Sequence, residues 1–256
     1  MLHHSRLGQG VPLIILHGLF GSGRNWQSLA CGFAEGLQVI CVDLRNHGRS
    51  FHADEMTYSV MTADVISLMD HLGIPAANIL GHSMGGKVAM MLAATCPQRV
   101  KRLIVADIAP VTYRHDYEEL ITPILSLPLD TLKSREQADQ IMAQSIQEAP
   151  LRAFLLQNLV RDANTWRWRV NWHAIQRHLD QLVGFPQLAI DWKIDHPSLF
   201  IRGALSDYVG DAEIDVINQH FSVCRIESLE QAGHWLHADQ PREFSRHVLD
   251  FLAALD

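Results

Sequence analysis

The residues best suited to chemistry are Gly81-His82-Ser83-Met84-Gly85, which match the pattern G-x-S-x-G. They stand between a short apolar run and a stretch rich in methionine, alanine and leucine, which predicts a turn from a strand into a helix. Glycines flank the serine in such a turn because a Cβ there would collide with neighbouring backbone. The turn exposes the hydroxyl of Ser83 and points the N–H of Met84 at developing negative charge. We predict that Ser83 is a nucleophile and that Met84 supplies an oxyanion donor.

A serine nucleophile needs a general base, and the sequence contains 15 histidines. We predict that His234 is the base, because it follows the last predicted strand and precedes the final predicted helix. Loops that follow parallel strands gather at the carboxyl edge of the sheet, and this brings His234 beside Ser83.

The histidine in turn needs a carboxylate to orient it, and two aspartates stand at the ends of predicted strands. Asp107 ends the run Leu-Ile-Val-Ala-Asp, and Asp207 lies in the loop after the run Ser198–Arg202. Both loops open on the same edge of the sheet, so the two aspartates stay alternatives at this stage. Ser206 is a further polar side chain that can support the histidine.

A glycine-bearing loop, His17-Gly18-Leu19-Phe20-Gly21, follows the first apolar run. A loop at that place can direct a second backbone N–H at the oxyanion, and we predict that Leu19 supplies it. An ordinary tight turn is the alternative interpretation of this loop.

Two other ligand-binding patterns are incomplete. Gly81 to Val88 is one residue short of a phosphate-binding P-loop, because Val88 stands where Ser or Thr would hold Mg²⁺. We therefore predict that Lys87 lies on the surface of its helix. Histidines occur in pairs near both ends of the chain, but without HExxH spacing, so we predict no metal and no other cofactor.

Six short apolar, β-branched runs are typical of strands buried on both faces of a parallel sheet. They are Pro12–His17, Val39–Asp43, Asn78–His82, Leu103–Asp107, Ser198–Arg202 and Val223–Leu229. Helical patterns occur between them, at Thr57–Leu72, Ser83–Ala94 and Gln240–Leu255. The alternation predicts an α/β fold, with one domain over residues 1–256 and a mostly parallel central sheet flanked by helices.

One connection is much longer than a single crossover, since about 95 residues separate Leu103 from Ser198. We predict a helical cap, inserted after the strand that ends near Asp107 and spanning approximately residues 111–194. Large aromatic side chains offer apolar surface for an acyl chain, and the predicted acyl pocket combines cap and core residues. These residues are Phe20, Trp166, Trp168, Trp172 and Trp235. Packing of the tryptophans inside the cap is the alternative.

Composition excludes several classes of function. The net charge is −7 and no run of Lys or Arg stands out, so nucleic acid and anionic membranes are poor partners. No apolar run reaches about 18 residues and the first residues lack a signal core, which predicts neither membrane spanning nor secretion. The four cysteines form no CxxC pair, as expected for a reduced, cytoplasmic protein. The sequence does not specify the oligomeric state.

Four motifs together resemble the α/β-hydrolase superfamily. They are His17–Ser22 (HGLFGS), Asp43–Ser50 (DLRNHGRS), Gly81–Gly86 (GHSMGG) and Ala232–Ala238 (AGHWLHA). The RNHG spelling, GHSMGGK and Ala106–Pro110 (ADIAP) are most similar to the small bacterial esterases of the YbfF type and to the ABHD11 group. The resemblance extends from the first strand to the last helix and is weakest in the insertion.

The resemblance implies an α/β-hydrolase domain with a helical cap that hydrolyses esters and thioesters, acyl-CoA among them, without a cofactor. Ser83 matches the nucleophile and His234 the base. In this group the acid lies after the strand that ends at Asp107, and a serine that matches Ser206 lies near the histidine. Many other members of the superfamily carry the acid where Asp207 stands. We therefore predict Asp107 as the acid, with Asp207 as the alternative.

We therefore predict a serine esterase or thioesterase that acts on a small acyl ester through a Ser-His-Asp triad and an acyl-enzyme. A lyase, a C–C hydrolase or a perhydrolase with the same triad is the alternative among enzymes. A non-catalytic ligand-binding module on this fold is the alternative outside them.

Overall fold

Nine strands form in the residues that the computed structural model describes, which are 1–114, 117–163, 165–186, 188 and 192–254. They are β1 (His4–Leu7), β2 (Val11–Leu16), β3 (Leu37–Val42), β4 (Ala77–His82), β5 (Val100–Ala106), β6 (Leu159–Asp162), β7 (Thr165–Trp168), β8 (Ser198–Gly203) and β9 (Cys224–Leu229). Seven of them form the central sheet, in the spatial order β1-β3-β2-β4-β5-β8-β9, and β6 and β7 form a separate hairpin. Each of the six predicted runs corresponds to a strand of the central sheet.

The sheet is mostly parallel, as predicted, and β1 is its antiparallel member. β1 pairs with β3 at one edge, where His4 lies opposite Val42. The sequence analysis did not predict β1, because its four residues, His-Ser-Arg-Leu, are mostly polar. An edge strand with one partly exposed face does not require an apolar run.

Helices cover both faces of the sheet and make up most of the long insertion. They are α1 (Gln27–Phe33), α2 (Tyr58–His71), α3 (Met84–Thr95), α4 (Tyr117–Leu125), α5 (Arg135–Met142), α6 (Ala149–Leu156), α7 (Trp172–Arg177), α8 (Leu179–Val183), α9 (Asp211–His220), α10 (Leu236–Asp239) and α11 (Pro241–Ala253). Among the described helices, none is long and apolar enough to cross a membrane.

Two cores lie on opposite faces of the sheet and explain the continuous apolar runs. Leu13 and Ile15 of β2 belong to the core that contains Phe244 of α11. Ile14 and Leu16 belong to the core that α2, α3 and the insertion complete. Alternate side chains of one strand are thus buried on both sides.

Five helices, α4 to α8, lie between β5 and β8 in the predicted cap region. The β6–β7 hairpin lies there too, with Leu159 opposite Trp168, and the sequence analysis did not predict it. Strands of four residues are too short to show a clear alternation of apolar and polar side chains.

Lys87 is buried, which corrects the prediction that it lies on the surface of α3. It is 1% exposed, and its Nζ donates to the carbonyl oxygens of Val111 (2.9 Å), Val183 (2.8 Å) and Gly184 (2.6 Å). Burial lowers the pKa of Lys87 to about 7. The prediction was wrong because the three acceptors come from other parts of the chain, at the entry to the cap and at the end of α8. The sequence pattern of α3 alone does not show that these carbonyl oxygens lie above Lys87.

Candidate active site

Ser83 occupies the turn between β4 and α3 in a backbone conformation that few residues adopt. Its φ is 51° and its ψ is −120°. A Cβ at Gly81 would lie 2.2 Å from the carbonyl oxygen of Gly85, so the turn requires glycine at position 81. Strain of this kind is retained where the surrounding structure holds a functional group in place, and here it presents the hydroxyl of Ser83.

A chain of hydrogen bonds connects Ser83, His234 and Asp107. Nε2 of His234 lies 3.1 Å from Oγ of Ser83, and Nδ1 lies 2.8 Å from Oδ2 of Asp107. An ionised carboxylate only accepts hydrogen bonds, so Nδ1 carries the ring proton and Nε2 is left to accept from the serine hydroxyl. This is the arrangement in which a histidine removes a proton from serine.

Of the two aspartates that the sequence left as alternatives, the structure brings Asp107 to the histidine. Asp107 is 1% exposed and follows β5 with a φ of 52°. Its Oδ1 accepts from the N–H of Gly203 at 2.9 Å, and its Oδ2 also accepts from Oγ of Ser206. Asp207 is exposed and does not line the cavity at Ser83. Ser206 therefore contacts the carboxylate rather than the histidine.

Tyr208 stacks on the ring of His234, a contact that the sequence analysis missed. The ring centroids are 3.8 Å apart and the planes are inclined by 14°. The hydroxyls of Tyr208 and Tyr117 share a hydrogen bond of 3.3 Å, which joins the loop after β8 to the cap. One feature of the sequence could have indicated this contact: Tyr208 lies two residues after Ser206, in the loop that follows a predicted strand.

A second set of histidines lies beneath the site and stays neutral. Nε2 of His82 donates to the carbonyl oxygen of His234 at 2.8 Å. His237 stacks on Trp26 with centroids 4.3 Å apart. Burial lowers the pKa of His237 to about 3 and also lowers that of His82. These rings support the loop that carries His234 without adding charge to it.

The loop after β2 passes close to Ser83. A Cβ at Gly18 would lie 2.8 Å from Nδ1 of His82 and 3.2 Å from Cβ of Ser83, so glycine is required for this approach. Leu19 follows and lines the cavities on both sides of Ser83. Within the described part of the chain, no acceptor engages the N–H of Leu19 or of Met84. Both N–H groups are thus free to donate to another acceptor.

Phe20 is held in a left-handed conformation, with a φ of 64°, by one residue of the core and one of the cap. Its N–H donates to Nε2 of His47 at 3.1 Å. Its carbonyl oxygen accepts from Nδ2 of Asn158, a buried cap residue, at 2.8 Å. Asn158 was not predicted, since nothing in the sequence places it opposite this loop.

An apolar cavity of about 420 Å³ opens at Ser83 and is covered by the cap. Leu120, Leu151 and Phe154 line it from α4 and α6, and Phe20 and Trp235 line it as predicted. This volume is within the usual range for small-molecule sites.

The other three predicted pocket residues do not line this cavity, which corrects that part of the prediction. Trp172 lies behind Phe20, with ring centroids 4.9 Å apart, and is 2% exposed. Trp168 packs edge-on against Trp172 at 5.5 Å. Trp166 lies near the guanidinium of Arg161, at 6.0 Å. These tryptophans fill the inside of the cap because its short elements need large side chains to form a core.

Among the described residues, no group of three or more His, Cys, Asp or Glu side chains is arranged to hold a metal ion. The four cysteines are free thiols. The site as described brings together a serine hydroxyl, an imidazole and a carboxylate beside two backbone N–H groups.

Comparison with known proteins identifies the relatives of this chain. It matches the α/β-hydrolase fold family over residues 11–241. It is 37% identical over 254 residues to the sn-1-specific diacylglycerol lipase ABHD11 of Danio rerio, which covers 96% of this chain and 79% of that protein. It is 36% identical over 244 residues to esterase YbfF of Escherichia coli, over 94% of this chain and 92% of that one.

A solved structure described as a marine microorganism esterase has 39% sequence identity and a TM-score of 0.94, over 98% of both chains. These comparisons confirm the predicted resemblance, the predicted fold and the prediction of an ester-bond hydrolase. The chain belongs to the α/β-hydrolase family.

Proposed function

We propose that this protein is a serine esterase that hydrolyses small acyl esters and thioesters through an acyl-enzyme on Ser83. The observation that supports it most directly is the chain of hydrogen bonds from Ser83 through His234 to Asp107 at the wall of an apolar cavity. Nucleophile, base and acid follow one another at distances that allow a proton to move between serine and histidine.

In the first half of the reaction, Oγ of Ser83 attacks the carbonyl carbon of the ester while Nε2 of His234 takes the hydroxyl proton. The carbonyl oxygen becomes an oxyanion, and the N–H groups of Leu19 and Met84 donate to it. Collapse of the tetrahedral intermediate breaks the bond to the leaving oxygen or sulfur. His234 gives its proton to that leaving group, and the acyl group stays on Ser83.

In the second half, His234 takes a proton from water, and the resulting hydroxide attacks the acyl-enzyme. The second tetrahedral intermediate releases the carboxylic acid, and Ser83 recovers its proton from His234. Asp107 stays ionised throughout and stabilises the positive charge on the imidazole.

The acyl chain occupies the cavity beneath the cap in this proposal. Leu120, Leu151 and Phe154 present an apolar wall there, and burial of each methylene contributes about 0.8 kcal/mol. The other side of Ser83 has only a small space, of about 20 Å³, beside Leu19 and Met84. A space of that size holds little more than one oxygen atom, which agrees with its use by the oxyanion.

Labelling with a fluorophosphonate tests the proposal directly, because the probe reacts with an activated serine and mimics the tetrahedral intermediate. We expect stoichiometric modification of Ser83 in the wild type, located by peptide mass spectrometry, and none in Ser83→Ala. A wild type that is folded but not labelled would favour the non-catalytic binding module. A labelled protein that releases no acid from esters would favour the lyase.

A further inference from the structure

A second cavity, of about 430 Å³ and mostly polar, lies next to the catalytic one. The turn after β2 separates the two: Asn25 and Trp26 line the catalytic cavity, whereas Ser22 and Arg24 line the polar one. The proposed esterase reaction makes no use of this space.

Three arginines from three separate parts of the fold line the polar cavity. Arg24 lies in a short 3-10 helix after β2, and Arg49 lies in the turn after β3. Arg169 follows β7 and belongs to the cap. Because β2 and β3 are neighbours, their loops meet at the carboxyl edge of the sheet, and the cap adds the third guanidinium above them.

In the described residues, no hydrogen bond or ion pair engages the guanidinium groups of Arg24, Arg49 and Arg169. Arg24 and Arg49 are exposed, and Arg169 is partly buried. Two partly buried arginines elsewhere do have one: Arg45 pairs with Asp64 at 2.6 Å, and Arg152 pairs with Asp139 at 2.8 Å. The contrast is informative because the protein as a whole carries a net charge of −7, so acidic partners are not scarce.

The three cations are close enough to affect one another. Burial and then the guanidinium groups of Arg49, Arg167 and Arg24 lower the pKa of Arg169, and the carboxylate of Asp43 opposes this shift. Like charges held together destabilise the folded state unless a counter-charge is present.

The one carboxylate that lines the cavity, Asp43, is buried and already engaged. Its Oδ1 accepts from the N–H of Gly23 at 2.7 Å, and its Oδ2 accepts from the N–H of Arg49 at 2.8 Å. Nδ1 of His3 lies 3.2 Å from the same Oδ2. Asp43 thus fixes the two turns that carry Arg24 and Arg49, and the three guanidinium groups exceed it by two positive charges.

We propose that the cavity lined by Arg24, Arg49 and Arg169 is a binding site for a phosphate group of a small molecule. A phosphate carries a charge of about −1.5 to −2 at pH 7 and presents several acceptor oxygens to planar guanidinium donors. Its charge balances the excess that Asp43 leaves, and its oxygens can bridge the cap arginine and the two core arginines. The proposal does not depend on the esterase reaction.

Isothermal titration with sodium pyrophosphate and with inorganic phosphate, at constant ionic strength balanced by sodium chloride, tests the site. We expect saturable binding to the wild type, with a Kd at least about tenfold higher in Arg169→Gln and in Arg49→Gln because each loses a charge-assisted hydrogen bond. Arg242→Gln is the matched control, since it removes an exposed positive charge at the start of α11. Its Kd should equal that of the wild type.

Thermal unfolding without ligand separates a binding role from a structural one. We expect Arg169→Gln to melt at the same temperature as the wild type or higher, because the substitution relieves repulsion. The proposal would be overturned if the wild type showed no saturable binding, or if binding persisted undiminished in Arg49→Gln and Arg169→Gln. A lower melting temperature of unliganded Arg169→Gln would also overturn it.

A kinetic comparison distinguishes the two sources of the phosphate once binding is measured. With 1-butanoylglycerol 3-phosphate and 1-butanoylglycerol as substrates, a lower KM for the phosphorylated ester that is lost in Arg169→Gln supports a phosphate carried by the substrate. Equal KM values, together with pyrophosphate binding, support a separate phosphate ligand. Pyrophosphate binding is measured without turnover, so its failure is independent of the esterase proposal.

Discussion

At the scale of single residues, the sequence predicted Ser83, His234 and Asp107, but its motifs alone kept Asp207 as an alternative to Asp107. The reason is physical: both aspartates follow strands whose carboxyl ends lie at one edge of the sheet, and strand spacing does not determine side-chain direction. The left-handed backbone at Asp107, with a φ of 52°, and the contacts with Gly203 and Ser206 decide which carboxylate meets the histidine. These contacts join segments that are distant in the sequence, so a local sequence pattern does not predict them.

Replacement of the acid tests this assignment. We expect Asp107→Asn to lower kcat by about 10⁴-fold, because the amide favours the wrong histidine tautomer while it preserves the geometry. Asp207→Asn is the matched control and should keep wild-type kcat, since Asp207 is exposed. Steady-state hydrolysis of a p-nitrophenyl ester measures both. Equal losses in the two variants would count against Asp107 as the acid.

At the scale of elements, the apolar runs predicted six strands and the helices beside them, because burial on both faces demands continuous apolar sequence. The polar edge strand β1 and the short hairpin β6–β7 were not predicted, because neither is buried on both faces and neither requires a continuous apolar run. The hairpin matters for the site: Asn158, which precedes β6, donates to the carbonyl oxygen of Phe20 in the loop that carries the proposed oxyanion donor. The cap thus contributes to the position of Leu19.

Removal of the Asn158 amide tests this link between cap and loop. We expect Asn158→Ala to lower kcat by about tenfold with little change in KM. The loss of one buried hydrogen bond of about 1–1.5 kcal/mol loosens the strained loop, and the proposed oxyanion donor Leu19 would act mainly in the transition state. Gln157→Ala is the control, since its hydrogen bond with Asn25 is exposed. A change in KM alone would show that Asn158 affects substrate binding instead.

Cap residues that line the cavity and cap tryptophans that do not line it should respond differently to substitution. We expect Leu151→Trp to shift the preferred acyl chain to shorter lengths, because it fills the cavity of about 420 Å³. Trp172→Phe should leave the preferred length unchanged and lower the free energy of unfolding, by about 1–3 kcal/mol for a buried volume loss. Hydrolysis of a p-nitrophenyl ester series and urea unfolding measure the two effects. A shift in chain length in Trp172→Phe would place that tryptophan in the pocket after all.

At the scale of the whole molecule, a long gap between strands predicted an insertion, and its contacts with the core explain how it is attached. Lys87 binds three carbonyl oxygens where the chain enters the cap and where α8 ends. The hydroxyl of Tyr58 donates to the carbonyl oxygen of Leu182 at 2.5 Å. Hydropathy patterns do not predict that a lysine such as Lys87 is buried with three acceptors. The buried histidines around the site are a second global feature, since they stay neutral in the folded protein.

Those histidines make the fold sensitive to acid. Burial lowers the pKa of His47 and of His237 to about 3, below the ordinary value of about 6.5 that an unfolded chain has. The unfolded state therefore binds more protons as the pH falls below 6.5, and each such histidine removes about 1.4 kcal/mol of unfolding free energy between pH 7.5 and 5.5.

Urea unfolding at the two pH values measures this loss. We expect His237→Phe, which keeps an aromatic ring on Trp26, to lose about 1.4 kcal/mol less than the wild type over the same interval. An identical loss in the two proteins would show that His237 does not contribute to acid sensitivity.

The most direct test of the central claim is hydrolysis of p-nitrophenyl esters from acetyl to palmitoyl, with the wild type beside Ser83→Ala. The account predicts turnover in the wild type and a loss of at least about 10⁴-fold in kcat in the variant, with circular dichroism spectra that match. It also predicts one preferred acyl length that fits the cavity. Unchanged turnover in a folded Ser83→Ala protein would contradict the account.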